Sequence, residues 1–193
     1  GSFRDMATLR AKGINCKGID FSKESIALAR KHFPDHIDCI HEMSAFDMKF
    51  ANREFDVSYH NGLWGYFSDD QIDLLAKEQA RVTGSRMMAT VHNAHNKQFV
   101  EYFEKLKPED PLYDIRFFNL DEITGLMGKY CDEIVVIPVG KGKKRHEDWL
   151  IKHGVTNPTI INAYLKATKK FTLAESERLI CIGHVNHAKH PAS

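Results

Sequence analysis

The 193-residue sequence lacks the features that mark membrane, secreted and nucleic-acid-binding proteins. No apolar run approaches the roughly 18 residues that a membrane span requires, and nothing resembles a signal peptide. The 27 lysines and arginines nearly balance the 26 acidic residues. No charge excess therefore favours nucleic acid or an anionic membrane as a partner. These absences predict a cytoplasmic protein with neither of those partners.

Cysteine is scarce, and its four copies are far apart at positions 16, 39, 131 and 181. Each lies within or near a predicted strand or helix end. This distribution favours buried, reduced thiols over disulfides, which again suits a cytoplasmic location.

Alternating strand-like and helix-like periodicity predicts an α/β fold with a mostly parallel sheet. The length fits a single domain over residues 1–193. Strands are predicted at 15–20, 38–41, 54–60, 86–92, 133–139 and 178–185. Helices are predicted at 4–12, 23–33, 69–82, 97–107 and 120–130, with two more between 146 and 170 that break near Asn157. The tail is predicted to fray over residues 186–193.

Residues 1–30 form the most informative segment: a glycine turn, a helix, a strand that ends at Asp20, and a second helix. An acidic residue at the tip of a strand, about 20 residues after a glycine-rich turn, indicates a nucleotide-type cofactor site. A carboxylate there accepts hydrogen bonds from both hydroxyls of a bound ribose.

This segment resembles the class I S-adenosylmethionine-dependent methyltransferases, in which a D-x-G-x-G-x-G loop precedes the same helix and strand. The resemblance implies a Rossmann-like fold, an antiparallel last strand at 178–185, and a variable helical insertion at 140–177. If Gly1 matches the second glycine of the loop, Phe3 stands where the family usually has the third. The alternative is that Gly1 and Ser2 are an expression remnant. In either case the family's first strand is absent from the sequence as given.

In this family the first strand lies between the strands that here end near Asp20 and His60. Its absence would leave two inner edges of the sheet unpaired. Three outcomes are open: a truncated gene product, a strand donated by another chain, or direct pairing of the flanking strands.

The resemblance implies further cofactor contacts on both sides of this gap. Phe21 would lie along the adenine. For Asp20, the alternative to the ribose contact is that it only caps the next helix. Ser44 takes the place of the family's acid that bonds the adenine amino group, followed by Ala45 and Phe46. The segment could equally be a simple turn.

The strand that begins Phe55-Asp-Val also resembles the family, and the loop after it would bring His60 and Asn61 near the methionine part of the cofactor. Trp64, Tyr66 and Phe67 could line an acceptor pocket or pack in the core, and a core role is favoured for Phe67. A packing role for His60 is equally open.

No residue has a definite catalytic signature, and the catalytic candidates are His60, His92 and His95. The last two lie at the C-terminal end of the strand predicted at 86–92, which corresponds to the fifth strand of the family. At this sheet edge ligands bind, and the two histidines could position an acceptor or act as a base. An exposed loop is the alternative. A histidine pair without a third ligand is weak evidence for metal, so no metal is predicted.

The sequence thus predicts S-adenosylmethionine-dependent methyl transfer to a small-molecule acceptor by in-line displacement, with homo-oligomerisation left open. The first alternative is a catalytically silent methyltransferase-like domain used for binding or scaffolding. The second is a nicotinamide-dependent oxidoreductase.

Overall fold

The computed structural model describes residues 2–140, 144–167 and 172–189, which fold as an α/β protein with helices and strands in alternation. The strands are β1 (Gly18–Asp20), β2 (Ile40–Glu42), β3 (Phe55–Asn61), β4 (Thr83–Asn93), β5 (Phe117–Phe118), β6 (Cys131–Val139) and β7 (Arg178–Val185). The helices are α1 (Arg4–Ala11), α2 (Lys23–His32), α3 (Asp69–Val82), α4 (Lys97–Leu106), α5 (Leu120–Gly128), α6 (Lys144–Lys152) and α7 (Pro158–Ala167).

The strands form two sheets. A parallel pair joins β1 and β2, and a larger sheet has the order β3-β4-β7-β6, with β5 paired to the end of β4. Strand β7 runs antiparallel to both β4 and β6. The predicted antiparallel insertion of the last strand beside the strand predicted at 86–92, which is β4, is therefore confirmed.

Among the described residues, β1 pairs with β2 and β3 pairs with β4, so the two flanking strands do not pair with each other. Direct pairing, one of the three outcomes considered, is not the observed arrangement. Side chains link the sheets instead: Lys17 Nζ lies 2.9 Å from Glu54 Oε1 and over the rings of Phe50 and Phe55.

Local signals in the sequence set several helix ends. Ser22 caps α2, with its hydroxyl accepting the Ser25 N–H at 3.1 Å, and Asn119 forms a capping box with Glu122 at the start of α5. Gly13 ends the first helical segment with a φ of 80°, a left-handed conformation that favours glycine.

The main core lies on one face of the larger sheet, beneath α3 and α5. Its fully buried members include Trp64, Ile72, Met87, Ile123 and Met127. A smaller cluster around Met6 and Ile26 packs α1 and α2 against the β1–β2 pair. No helix among the described residues is both long and apolar enough to cross a membrane.

Some predicted boundaries differ from the structure. The strand predicted at 15–20 is confined to 18–20, and residues 34–39 form a 3₁₀ helix before a short β2. The two-residue β5 was not predicted, because two residues carry no periodicity. The predicted break between the helices of the 140–177 region is confirmed, since α6 ends at 152 and α7 begins at Pro158.

The tail predicted to fray from residue 186 is held in place as far as Lys189. The Asn186 N–H donates to the Tyr130 carbonyl at 2.9 Å, and Lys189 Nζ donates to the carbonyls of Gly128 and Cys131. The remaining four residues of the tail lie outside the described residues.

Candidate functional site

The candidate site is the edge of the two sheets at which the parallel strands end. Strand β1 ends at Asp20, β3 at Asn61 and β4 at Asn93. Because β7 is antiparallel to β4, its first residue, Arg178, lies at this same edge. Ligands of open α/β sheets bind outside the carboxyl ends of the strands, so these residues surround the expected ligand position.

Asp20 has the local role that its alternative interpretation predicts. Its Oδ1 accepts the Ser22 N–H at 2.8 Å and so orients the residue that caps α2. A carboxylate can accept several hydrogen bonds, so this turn role does not exclude a ribose contact, which stays a prediction.

Phe21 projects away from both cores, with 79% of its surface exposed. An exposed phenylalanine beside a strand-end carboxylate offers a flat apolar face of the kind that a purine ring stacks on. Its packing alone does not account for an aromatic residue at this position.

The segment after β2 lies next to Asp20, because the Met43 N–H donates to the Asp20 carbonyl at 2.9 Å. Ser44 Oγ accepts the Phe46 N–H at 3.2 Å, the geometry of a turn. Ala45 packs against the main core, and Phe46 meets Phe67 edge to face with centroids 5.4 Å apart. Accepting one amide leaves the Ser44 hydroxyl proton available to a ligand.

Arg81 of α3 fixes the far end of that segment. Its guanidinium donates to the carbonyl oxygens of Met48 at 2.7 Å and Phe50 at 2.9 Å, and it pairs with Glu78. These bonds raise the pKa of Arg81, chiefly through the hydrogen bond with Glu78. The segment that carries Ser44 is therefore held at both ends.

His60 lies on the core face of β3. Both of its ring nitrogens are shielded from solvent and lack a hydrogen-bond partner among the described residues, and the ring packs 4.9 Å from that of Trp64. Burial lowers the pKa of His60 to about 3. This placement favours the packing role for His60, while Asn61 is exposed at the sheet edge, as a ligand contact requires.

His92 lies on the opposite face of the sheet, near the end of β4, and is only 4% exposed. The rings of Phe99, Phe103 and Phe117 surround its imidazole at centroid distances of 5.3 to 6.1 Å. Its Nδ1 is buried without a hydrogen-bond partner among the described residues. Burial, assisted by Arg178, lowers the pKa of His92 to about 4. The ring is therefore neutral at neutral pH.

His95 has a structural role at the start of α5. Its Nε2 accepts the Leu120 N–H at 3.2 Å, and its own backbone N–H donates to Asn93 Oδ1 at 3.0 Å. Asn93 in turn donates through Nδ2 to the Leu173 and Ser176 carbonyl oxygens. This network anchors the segment that enters β7.

The aromatic residues after β3 divide between core and surface. Trp64 is fully buried, Phe67 packs against the main core as predicted, and Tyr66 is 56% exposed. Tyr66 lines an open groove of about 390 Å³ that also contacts Lys107 and Arg116. Of the predicted acceptor wall, Tyr66 is the residue that faces solvent at this edge.

Arg178 was not among the residues predicted from the sequence. It pairs directly with His92 across β4 and β7, and its Nη1 lies against Gly62, where an added Cβ would be 3.2 Å away. Gly62 has a φ of 81°, so both space and conformation favour glycine there. An arginine at the start of a strand carries no motif, and the strand register that places it was not available from sequence.

One predicted cofactor contact cannot be compared with the structure, because Gly1 lies outside the described residues. Among the residues that are described, no group of three or more histidine, cysteine or acidic side chains is arranged to hold a metal ion.

The sequence was compared with models of protein families and with curated proteins. Residues 1–88 match the family model described as a methyltransferase domain. No curated protein sequence matches the chain significantly.

Several solved structures share the fold. A methyltransferase from Thermotoga maritima, described as a possible histamine N-methyltransferase, is 17% identical; the match covers 95% of this chain and 78% of that one, with a TM-score of 0.63. A SAM-dependent methyltransferase from Archaeoglobus fulgidus is 8% identical over 95% and 82% of the two chains, with a TM-score of 0.67. Geranyl diphosphate C-methyltransferase from Streptomyces coelicolor is 11% identical over 96% and 67%, with a TM-score of 0.59.

The fold and the family match define a methyltransferase domain with a Rossmann-like architecture. The match over residues 1–88 and the shared fold indicate a class I S-adenosylmethionine-dependent methyltransferase, an enzyme that uses S-adenosylmethionine as its cofactor. The match counts against the nicotinamide-dependent alternative.

Proposed function

We propose that the protein transfers the methyl group of S-adenosylmethionine to a small-molecule acceptor bound at the same sheet edge. The observation that carries this proposal is the division of that edge into two parts. Asp20, Phe21 and Ser44 gather around the ends of β1 and β2, and His92 and Arg178 face each other where β4 ends and β7 begins. Asn61 lies between them at the end of β3.

The residues of the first part fit the chemistry of an adenosyl cofactor. The Asp20 carboxylate accepts from the ribose hydroxyls, Phe21 lies on the adenine, and Ser44 with Ala45 and Phe46 borders the base. Asn61 and the N-terminal Gly1 segment are assigned to the amino-acid part. A sulfonium-bound methyl group is already activated toward displacement, so this chain has to bind and orient the reactants.

The second part supplies the acceptor contacts. His92 is neutral at neutral pH, and its Nδ1 has no partner in the part of the chain that the structure describes, so it can exchange a hydrogen bond with an acceptor. The phenylalanine rings around it shield the imidazole from water. We assign His92 as the preferred acceptor contact, because His95 is engaged by α5 and His60 by the core.

Two structural neighbours are named after small-molecule acceptors. One is a geranyl diphosphate C-methyltransferase, and the other is described as a possible histamine N-methyltransferase. These titles describe those proteins. They support a modest acceptor for this chain without specifying its chemical class.

The test is an assay of methyl transfer from labelled S-adenosylmethionine to a panel of small acids, amines, alcohols and thiols. We expect label in at least one acceptor and stoichiometric S-adenosylhomocysteine. A protein that binds S-adenosylhomocysteine but transfers no label to any panel member would contradict the proposal. That result would instead support the catalytically silent binding domain.

We further propose a cytoplasmic location and a single domain. The location is supported by the four free cysteines, of which Cys131 and Cys181 are buried with pKa values raised by burial. The proposal involves no nucleic-acid or membrane partner, in line with the balanced charge. Self-association into a homo-oligomer stays a prediction.

A further inference from the structure

A half-buried arginine normally has a visible structural task, and Arg81 and Arg116 show this in the same chain. Arg81 pairs with Glu78 and donates to two carbonyl oxygens, and Arg116 pairs with Asp69 and Glu122. These contacts repay the cost of removing the guanidinium from water. Arg178 differs from both of these arginines.

Arg178 has no such contacts with any described residue. Within residues 2–140, 144–167 and 172–189, no oxygen accepts a hydrogen bond from its guanidinium, although five N–H groups require acceptors. Burial lowers its pKa, with Glu177 and Tyr66 as the neighbouring groups that oppose this effect. A cation that is partly desolvated and unpaired costs stability, so a structural role does not account for it.

His92 supplies a second, independent observation at the same place. It lies directly opposite Arg178 in the strand register, is more than nine-tenths buried, and has a buried Nδ1 without a partner among the described residues. A buried imidazole nitrogen without a partner, beside a half-buried guanidinium that no described residue pairs, is typical of a site completed by a ligand.

We propose that Arg178 and His92 form a subsite for an anionic group of the acceptor, and that this group is a carboxylate. The inference rests on the proposed function and deepens it by naming the chemical class of the acceptor. A planar guanidinium binds a carboxylate through two parallel hydrogen bonds. One cation beside a neutral imidazole, with Glu177 close by, balances a monoanion better than a phosphate dianion.

The rest of the acceptor is apolar on this account. The aromatic rings of Phe99, Phe103 and Phe117 surround His92. Phe117 and Arg178 pair with it from opposite sides of β4. An acceptor with an acid at one end and an aromatic or aliphatic body beside it satisfies both halves of the subsite.

The test uses phenylacetate, phenylacetamide and phenyl phosphate as probes in the presence of S-adenosylhomocysteine. Binding is followed by calorimetry and by the NMR signals of His92. We expect phenylacetate to bind at least tenfold more tightly than phenylacetamide and to raise the pKa of His92. Arg178→Gln should abolish the preference and Arg178→Lys should keep part of it, whereas Arg86→Gln, at the opposite end of β4, should leave it unchanged.

Equal binding of acid and amide by a protein that binds S-adenosylhomocysteine normally would overturn the subsite while leaving the proposed function intact. Phenyl phosphate bound tenfold more tightly than phenylacetate would overturn the carboxylate assignment. Absence of S-adenosylhomocysteine binding by the folded protein would instead count against the proposed function. Unchanged S-adenosylhomocysteine affinity in Arg178→Gln shows that this variant is folded.

Discussion

Arg178 and His92 occupy directly opposed positions in the antiparallel pair of β4 and β7, so a guanidinium and a buried imidazole share one face of the sheet at its ligand-binding edge. Arg178 acts on His92 electrostatically, because its positive charge adds to burial in lowering the pKa of His92. Both groups lack hydrogen-bond partners among the described residues. The two side chains meet only because the last strand, β7, inserts beside β4. The fold thereby creates the proposed acceptor subsite.

His92 should make the protein less stable in acid. Its pKa is about 4 in the folded protein and about 6.5 when unfolded, so the unfolded chain binds the proton more readily between those values. The free energy of unfolding should therefore fall as the pH drops from 6.5 toward 4. Between pH 7 and about pH 4.5, His92 should account for a fall of about 2 kcal/mol in the free energy of unfolding.

Urea unfolding of the wild type and of His92→Phe at both pH values measures this contribution to the free energy of unfolding. The variant should lose less stability on acidification than the wild type, with the remaining loss including that of His60, whose pKa is also lowered by burial. His32→Gln, which changes an exposed imidazole, serves as the control. An identical loss in the wild type and in His92→Phe would refute this assignment.

Asn93→Ala should destabilise the fold by about 2 to 4 kcal/mol. The Asn93 side chain is completely buried and donates to the Leu173 carbonyl at 2.6 Å and to Ser176 at 2.8 Å, so its removal leaves buried acceptors unsatisfied. Asn15→Ala, at an exposed amide, should cost less than about 0.5 kcal/mol. Chemical unfolding of both variants checks the prediction, and a similar small effect in both would exclude the anchoring role of Asn93.

Gly18→Ala should destabilise the fold by about 1 to 3 kcal/mol, because the added Cβ would lie 2.7 Å from two carbons of the Phe3 ring. Adding Phe3→Ala should relieve this clash, so the double variant should be more stable than the sum of the single effects indicates. Gly125→Ala is the control, since no atom lies within 4 Å of its added Cβ. Additive effects in the double-mutant cycle would show that Phe3 does not pack on Gly18.

Arg81→Lys should weaken cofactor binding while the protein stays folded. A lysine cannot span the carbonyl oxygens of Met48 and Phe50 and also pair with Glu78, so the segment that carries Ser44 loses its far anchor. We expect the dissociation constant of S-adenosylhomocysteine to rise several-fold. Arg86 contacts His184 at the far end of β4 through its guanidinium. The control variant Arg86→Lys should therefore bind S-adenosylhomocysteine as the wild type does.

The sequence predicts most helices and strands correctly because their signals are local. Ser22 and Asn119 cap the helices they precede, and the apolar pattern of residues 178–185 specifies β7 with its bounds unchanged. Even the replacement of a family glycine by Phe3 is consistent with the structure, since Phe3 has a φ of 55°, in the left-handed region that glycine favours.

The candidate site was less accessible to sequence analysis, because it depends on strand register and on which face a residue occupies. His60 and Asn61 are neighbours in sequence, yet alternation along β3 sends one into the core and the other to the opposite face. Arg178 gains its position only from pairing with His92, 86 positions earlier in the chain. No local pattern encodes that contact.

Calorimetric titration with S-adenosylhomocysteine tests the central claim most directly, using the wild type, Asp20→Asn and Asp56→Asn. The asparagine at position 20 can still accept the Ser22 N–H, so α2 keeps its cap while the charge on the ribose contact is lost. We predict micromolar binding by the wild type and by Asp56→Asn, and at least tenfold weaker binding by Asp20→Asn, about 1.4 kcal/mol. Equal affinity in all three proteins, or no binding by the folded wild type, would contradict the assignment of this edge as the cofactor site.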